Sequence, residues 1–139
     1  MLAAVAQPTA LPTLFVHRTM IKSRCHCGAI QLSVPVAPTQ LTDCNCSICR
    51  RIGALWTYYP VDQVQVTGHT EDTAEYVWGG KTLRIVRCKH CGNVTHWEPL
   101  QPAAESKMGV KARLLENPAL TAAAVVRRFD GADTWRFID

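Results

Sequence analysis

The sequence has no apolar run of about eighteen residues, the length an α-helix needs to cross a bilayer, so no membrane span is expected. A secretory leader is not expected either: Met1 to Phe15 is apolar and Ala-rich, but the first basic residue, Arg18, follows that stretch, and Pro8 and Pro12 interrupt it. Residues 1–19 are therefore expected to be a poorly ordered N-terminal extension, with the patterned domain spanning 20–139. Internal repeats, low-complexity tracts and linker-like runs are missing, and 139 residues are too few for two ordinary domains. No Ser-His-Asp pattern and no carboxylate pair stands out, so neither a hydrolytic triad nor two-carboxylate chemistry has obvious residues to carry it.

Apolar residues make up 47% of the chain and charged residues 19%, a globular rather than a disordered composition. The formal net charge of +4 counts every cysteine as neutral. Seven thiolates with two Zn²⁺ ions would lower it to about +1. That leaves no basic surplus for nucleic acid, and neither cysteine knuckle is followed by a strongly basic helix.

The seven cysteines, Cys25, Cys27, Cys44, Cys46, Cys49, Cys88 and Cys91, fall into three tight clusters. An odd number cannot all pair, and disulfides between Cys25 and Cys27 or between Cys44 and Cys46 would close small strained rings. Buried cysteines acting as small hydrophobes would not be expected at C-x-C, C-x-C-x-x-C and C-x-x-C spacing. Metal ligation fits those spacings, and reduced thiols suit a cytoplasmic setting.

Ile30, Leu32, Val34 and Val36 alternate with polar residues or proline as a half-buried strand does, and Pro35 points to a sheet edge. Val64 and Val66 mark a second strand. Tyr76–Trp78, Gly79-Gly80 and Leu83–Arg87 predict a hairpin with a two-residue turn that delivers Cys88. Val94–Trp97 predicts a further strand, as does the alternation of Val110, Ala112 and Leu114. Asn117-Pro118 should cap a short helix over Ala119–Ala123, and Val125–Phe129 should run into an Asp130-Gly131 turn. The chain is expected to be mainly β.

If Cys25 and Cys27 lead a strand, as positions i and i+2 they face one side and can share an ion. Cys88-Lys89-His90-Cys91-Gly92 has knuckle spacing, so two plus two sulfurs make a closed tetrahedral zinc site. Cys44, Cys46 and Cys49 remain, with no eighth cysteine to complete a second tetrahedron. Three protein ligands and an open position are the usual arrangement of catalytic zinc. A histidine, with His26, His90 and His96 as candidates, would instead close the shell and make the site structural.

Cys25-His26-Cys27-Gly28, Cys44-Asn45-Cys46-Ser47-Ile48-Cys49-Arg50-Arg51 with Gly53, and Cys88-Lys89-His90-Cys91-Gly92 together resemble the glutathione-dependent formaldehyde-activating enzyme family, which includes centromere protein V. The resemblance runs from about Arg24 to Trp135. It implies compact packed antiparallel sheets, a zinc-clipped β-tent. It also implies structural zinc at Cys25, Cys27, Cys88 and Cys91, and catalytic zinc at Cys44, Cys46 and Cys49. The activity expected from it joins glutathione to an aldehyde, giving S-(hydroxymethyl)glutathione from formaldehyde, or reverses that step by carbon–sulfur lysis.

A free thiol of pKa about 8.5 is about 3% ionised at pH 7, so metal-assisted ionisation offers at most about thirtyfold. Most acceleration would have to come from holding the two reactants together. Arg50 and Arg51, directly after Cys49, are candidates to pair with glutathione carboxylates, unless they face solvent or brace a backbone carbonyl. Trp56, Tyr58 and Tyr59 are candidate pocket residues or core aromatics, and His96 is expected to pack within its strand. The rival expectation is a non-catalytic zinc module that binds a thiol, a small ligand or a protein. The chain's oligomeric state is not legible.

Overall fold

A computed structural model describes residues 19–139 of the chain. The expected N-terminal extension therefore lies, apart from Thr19, outside the described residues.

Short strands predominate because β-branched and aromatic residues recur with period two and turn residues interrupt them every few positions. They form two sheets. In the smaller, β1 (Ile21–Arg24), β2 (Gln31–Val34) and β5 (Gln65–Thr67) pair antiparallel in the order β1-β2-β5. The larger contains β3 (Gln40–Cys44), β4 (Leu55–Pro60), β6 (Thr73–Tyr76), β7 (Leu83–Cys88), β8 (Val94–Pro99), β9 (Lys107–Lys111) and β10 (Val125–Phe129). Its order is β10-β3-β4-β9-β8-β7-β6. Its pairs are antiparallel except β10 with β3, a parallel pair that sets Phe129 opposite Cys44.

Two short helices interrupt the sheets, α1 (Cys49–Ile52) and α2 (Pro118–Ala123). The second begins as its sequence predicts: Pro118 opens it and the Asn117 side chain accepts a hydrogen bond from the Ala119 N–H at 3.1 Å.

The two faces of the large sheet have different tasks. Tyr59 of β4, Met108 and Val110 of β9 and Cys88 of β7 face the small sheet and pack in one core with Ile30, Leu32, Val34 and Leu115. Burial of each large side chain there contributes about 1.5–3 kcal/mol. The Tyr59 hydroxyl adds a tie between the layers by donating to the Val36 carbonyl at 2.9 Å. On the opposite face, the register lines up Tyr58, Gly109, Trp97 and Ile85 across four adjacent strands. A Cβ on Gly109 would lie 2.1 Å from Trp97 Nε1, so the glycine is what lets the indole lie across β9.

Several sequence expectations are corrected. β2 is the central strand of its sheet, not an edge; Pro35, lacking an N–H, stops the strand at Val34. The β6–β7 connection spans residues 77–82 rather than two residues, because Val77 and Trp78 leave the ladder and the turn needs left-handed backbone at both Gly79 (φ 59°) and Lys81 (φ 52°). β9 stops at Lys111, and Ala112–Leu114 tighten into a 3₁₀ turn closed by the Leu115 N–H on the Ala112 carbonyl. Cys25 and Cys27 lie in the β1–β2 connection and not in a strand.

Gly68 has φ +82°, and a Cβ there would meet the Ala29 carbonyl oxygen at 2.3 Å, whereas Gly53 (φ +60°) has open space around it. Gly68→Ala is expected to destabilise the fold by about 2–4 kcal/mol, and Gly53→Ala by about 1–2 kcal/mol from conformation alone. Denaturant midpoints at equal m-value check the difference.

Candidate functional site

The first cysteine group joins the sheets. Cys25 and Cys27 come from the β1–β2 connection of the small sheet, and Cys88 and Cys91 from the tight β7–β8 turn of the large one. All four sulfurs lie within 4.8 Å of one another. Cys25 Sγ is 3.7 Å from Cys27 Sγ, which is 3.6 Å from Cys88 Sγ. Four sulfurs at the corners of a zinc tetrahedron with bonds of about 2.3 Å lie about 3.8 Å apart, whereas a disulfide needs about 2.05 Å. These separations suit a metal.

Backbone N–H groups also aim at the sulfurs, Ile30 N at Cys25 (3.3 Å) and His90 N at Cys88 (3.4 Å). Burial opposes ionisation of Cys91, but the N–H groups of Cys27 and Asn93 outweigh it and lower its pKa to about 6. Cys27 is pushed up to about 11: the Ala29 N–H pulls it down, but desolvation and three sulfur neighbours prevail. Thiols held this close cannot ionise together without a cation among them.

The second group is Cys44 at the end of β3 with Cys46 and Cys49 on the turn into α1, their sulfurs again within 4.8 Å. Burial raises the Cys44 and Cys49 thiols. Burial acts on Cys46 too, but N–H groups of Cys49 and Ile48 and the neighbouring sulfurs lower it overall. Trp56 Nε1 donates to Cys49 Sγ at 3.2 Å. Three soft sulfur donors, each disfavoured as a lone thiolate or dependent on its neighbours, fit a divalent ion such as zinc. Among the described residues no histidine joins them. His90 is bonded to Asp72 at 2.7 Å, His26 sits beside the first cluster with its N–H on Asn93, and His96 is buried on the other face of β8.

This second group lines a cavity of about 420 Å³ together with Trp56, Tyr58, Trp78, Trp97, Phe129 and Trp135, and among the described residues no charged side chain lines it. Trp56 and Tyr58 had been legible as candidate pocket residues; Tyr59, one position on, faces the core instead. Burial raises the Tyr58 pKa, with a hydrogen bond from Thr42 opposing, so its phenol stays neutral on the wall.

Arg50 and Arg51 are exposed on α1 and do not line the cavity, and Arg51 Nη1 is engaged by the Ser47 carbonyl at 2.7 Å.

The C-terminal segment closes the site, which the sequence pattern did not reveal. Asn45, between two of the cysteines, donates to Asp130 Oδ1 at 2.8 Å and accepts from the Ala132 N–H at 3.0 Å. The Asp130 carboxylate, held low by Asn45 and by the Thr134 N–H and hydroxyl, organises the loop. Gly131 then passes so close that a Cβ would lie 2.5 Å from Cys44 Sγ. The Asp130-Gly131 turn was the only sequence signal for it.

A third group, His69, His96 and Glu98, also gathers within 4.8 Å. Its chemistry differs: Arg84 already binds Glu98 through Nε and Nη2 at 2.7 Å, and His69 Nε2 bonds the same oxygen at 2.6 Å. Burial opposes ionisation of Glu98, but His96, 3.8 Å from its other oxygen, and the hydrogen-bonded His69 carry its pKa down to about 2. The carboxylate has its counter-charge without an ion.

The family model described as glutathione-dependent formaldehyde-activating enzyme matches residues 20–129. The chain is also similar in structure to a Rhodobacter sphaeroides protein solved by crystallography. The two are 29% identical over 76% of this chain and 98% of that one, with a TM-score of 0.63.

Elemental analysis is expected to find two zinc ions per folded chain, the second more readily removed by chelators. Cys88→Ser should cost much of the roughly 10 kcal/mol that a closed structural site can supply and leave the chain unfolded, while Cys46→Ser should fold and lose one ion. Gly131→Ala should act like Cys46→Ser, lowering metal content toward one per chain with the far-ultraviolet dichroism unchanged. Two firmly held ions in that variant would show that the loop does not constrain the cluster.

Proposed function

The chain belongs to the glutathione-dependent formaldehyde-activating enzyme family, and on that premise we propose that it is a zinc-dependent carbon–sulfur lyase or synthase acting on a glutathione–aldehyde adduct such as S-(hydroxymethyl)glutathione. The observation that carries this is the three-sulfur group lining a cavity with no fourth protein ligand among the described residues. Cys44, Cys46 and Cys49 would hold the catalytic ion, and Cys25, Cys27, Cys88 and Cys91 the structural one. Zinc in an open three-cysteine site supplies a Lewis-acidic position that favours the ionised form of a thiol.

The chain's own residues do the rest. The Trp56 N–H fixes the Cys49 sulfur and tempers its charge, and Gly131 with the Asn45–Asp130 pair fixes the Cys44 side. The aromatic walls exclude water and hold the two reactants in a confined space, where orientation can contribute far more than thirtyfold. In the synthetic direction a sulfur–carbon bond forms, the carbonyl π bond breaks and the thiol proton ends on oxygen; lysis is the reverse. With no carboxylate, histidine or lysine on the wall among the described residues, that proton would move through hydroxyl groups or water.

Arg50, exposed and next in sequence to Cys49, is the candidate to pair with a glutathione carboxylate outside the cavity, with Arg51 a weaker candidate because its guanidinium is already engaged.

The same lack of acid–base side chains favours a second reading, a non-catalytic module that binds a thiol or thiol adduct. The two separate on turnover above the spontaneous reaction. No helix among the described residues is long and apolar enough to cross a membrane, and a cytoplasmic enzyme is the setting proposed.

Saturating glutathione should raise the mean number of sulfur neighbours around zinc seen by X-ray absorption, and Cys49→Ser should abolish the rise. Arg50→Ala should weaken glutathione severalfold more than it weakens an uncharged thiol. An unchanged zinc environment at saturation would remove thiol activation from this site.

A further inference from the structure

All four tryptophans of the chain line one cavity, together with Tyr58 and Phe129, and among the described residues none of the lining side chains is charged. Trp135 is 71% exposed and Trp78 41% exposed, so neither owes its place to the core. Large aromatics left in water at the rim of an apolar concavity mark a surface that gains by being covered.

The size of the space excludes some occupants. Formaldehyde has two heavy atoms, about the volume of two waters or roughly 60 Å³, against a cavity of about 420 Å³. The remainder would hold water against indole faces. Glutathione has the opposite fault, because it carries two carboxylates and an ammonium, and burying an unpaired charge costs several kcal/mol. Its sulfur can enter while its charged ends stay outside in water. The interior is left for the other reactant.

The walls are built for this shape. Gly109 lets Trp97 lie across β9, and Gly131 brings the segment carrying Trp135 over the cysteine group. Trp135 is itself seated edge-on against Phe129, with ring centroids 5.3 Å apart. The cavity is thus walled by aromatic rings and lined by all three sulfurs of the second group.

We infer that this cavity takes an uncharged apolar group, the alkyl or aryl substituent of an aldehyde larger than formaldehyde, seated between Trp78, Trp97 and Trp135 with its carbonyl toward Cys44, Cys46 and Cys49. The inference rests on the thiol–aldehyde chemistry proposed above. It adds the substrate class: sulfur adds to RCHO, the thiol proton passes to the former carbonyl oxygen, and R stays in the aromatic cavity throughout. Each methylene of R that leaves water gains about fourfold in binding until the space is full.

The test uses the zinc-loaded protein in two arms. In the first, methanol and 1-hexanol, which cannot form the adduct, are titrated while tryptophan fluorescence and ligand-observed NMR are followed. Hexanol is expected to bind on the order of 10²–10³-fold more tightly, and Trp78→Ala and Trp135→Ala each to reduce that ratio tenfold or more. In the second, adduct formation from glutathione with formaldehyde, butanal and hexanal is measured above the uncatalysed rate, and kcat/KM is expected to rise along the series. Hexanol binding no tighter than methanol, or formaldehyde preferred over hexanal, would overturn the inference while leaving the thiol–aldehyde reaction standing. Tight hexanol binding without turnover of any aldehyde would keep the apolar site and overturn the reaction.

Discussion

Sulfur atoms 3.6–3.7 Å apart, contributed by two different sheets, are the constraint on which this architecture turns. The small sheet has strands of only four, four and three residues, too little to stand without a partner layer. Its Ile30, Leu32 and Val34 give it an apolar face to pack with, but packing is non-directional and would tolerate sliding. The cysteine group is directional. With an ion bound it would pin the β1–β2 connection to the β7–β8 turn, sixty-one residues along the chain from Cys27 to Cys88. Fixing that joint orients the core face of the large sheet, and the alternation of its strands then aims the opposite face, with Tyr58, Trp97 and Ile85, toward the second cysteine group.

Period-two alternation therefore divides one sheet into a structural and a chemical side. On β4, Tyr59 anchors the layers while Trp56 and Tyr58, its neighbours in the strand, reach the cavity. On β8, His96 is buried on one side and Trp97 lies on the other. A one-residue slip in either strand would exchange the two sets, so the register that stabilises the core also positions the cavity. The two glycines at 109 and 131 are places where the chemical side needs closer approach than any Cβ permits.

Much of this was legible in the residues. The three cysteine clusters, the Asn117-Pro118 cap and the strands over β2, β5, β7 and β8 could be read because local spacing or periodicity determines them. The turn holding Cys25 and Cys27 could not, since i and i+2 sulfurs converge equally well from a strand or from a tight connection. The end of β9 was misplaced because Val110, Ala112 and Leu114 are apolar in both a strand and a 3₁₀ turn; burial alone does not choose between them. The central place of β2 depends on β5 pairing with it, a non-local fact. The loop over the second cluster is the clearest loss: Asn45 and Gly131 are polar and small residues of ordinary kind, and only the parallel pairing of β10 with β3 brings them together.

That pairing also sets where the cavity wall is completed. The matched region ends at Phe129, the last residue of β10, opposite Cys44. All seven cysteines, Trp56 and Trp97 fall within it, whereas Gly131 and Trp135 lie just beyond and complete the wall. The loop that carries them is held by hydrogen bonds from Asn45 and within Asp130–Thr134 rather than by core burial, so its outer residues can change without disturbing either sheet. The cysteines of the second group thus sit at a strand end and the turn after it, while Gly131 and Trp135 reach the cavity from a closing loop. On the closing loop this chain presents Trp135 to the cavity, where a charged substrate would need a cation.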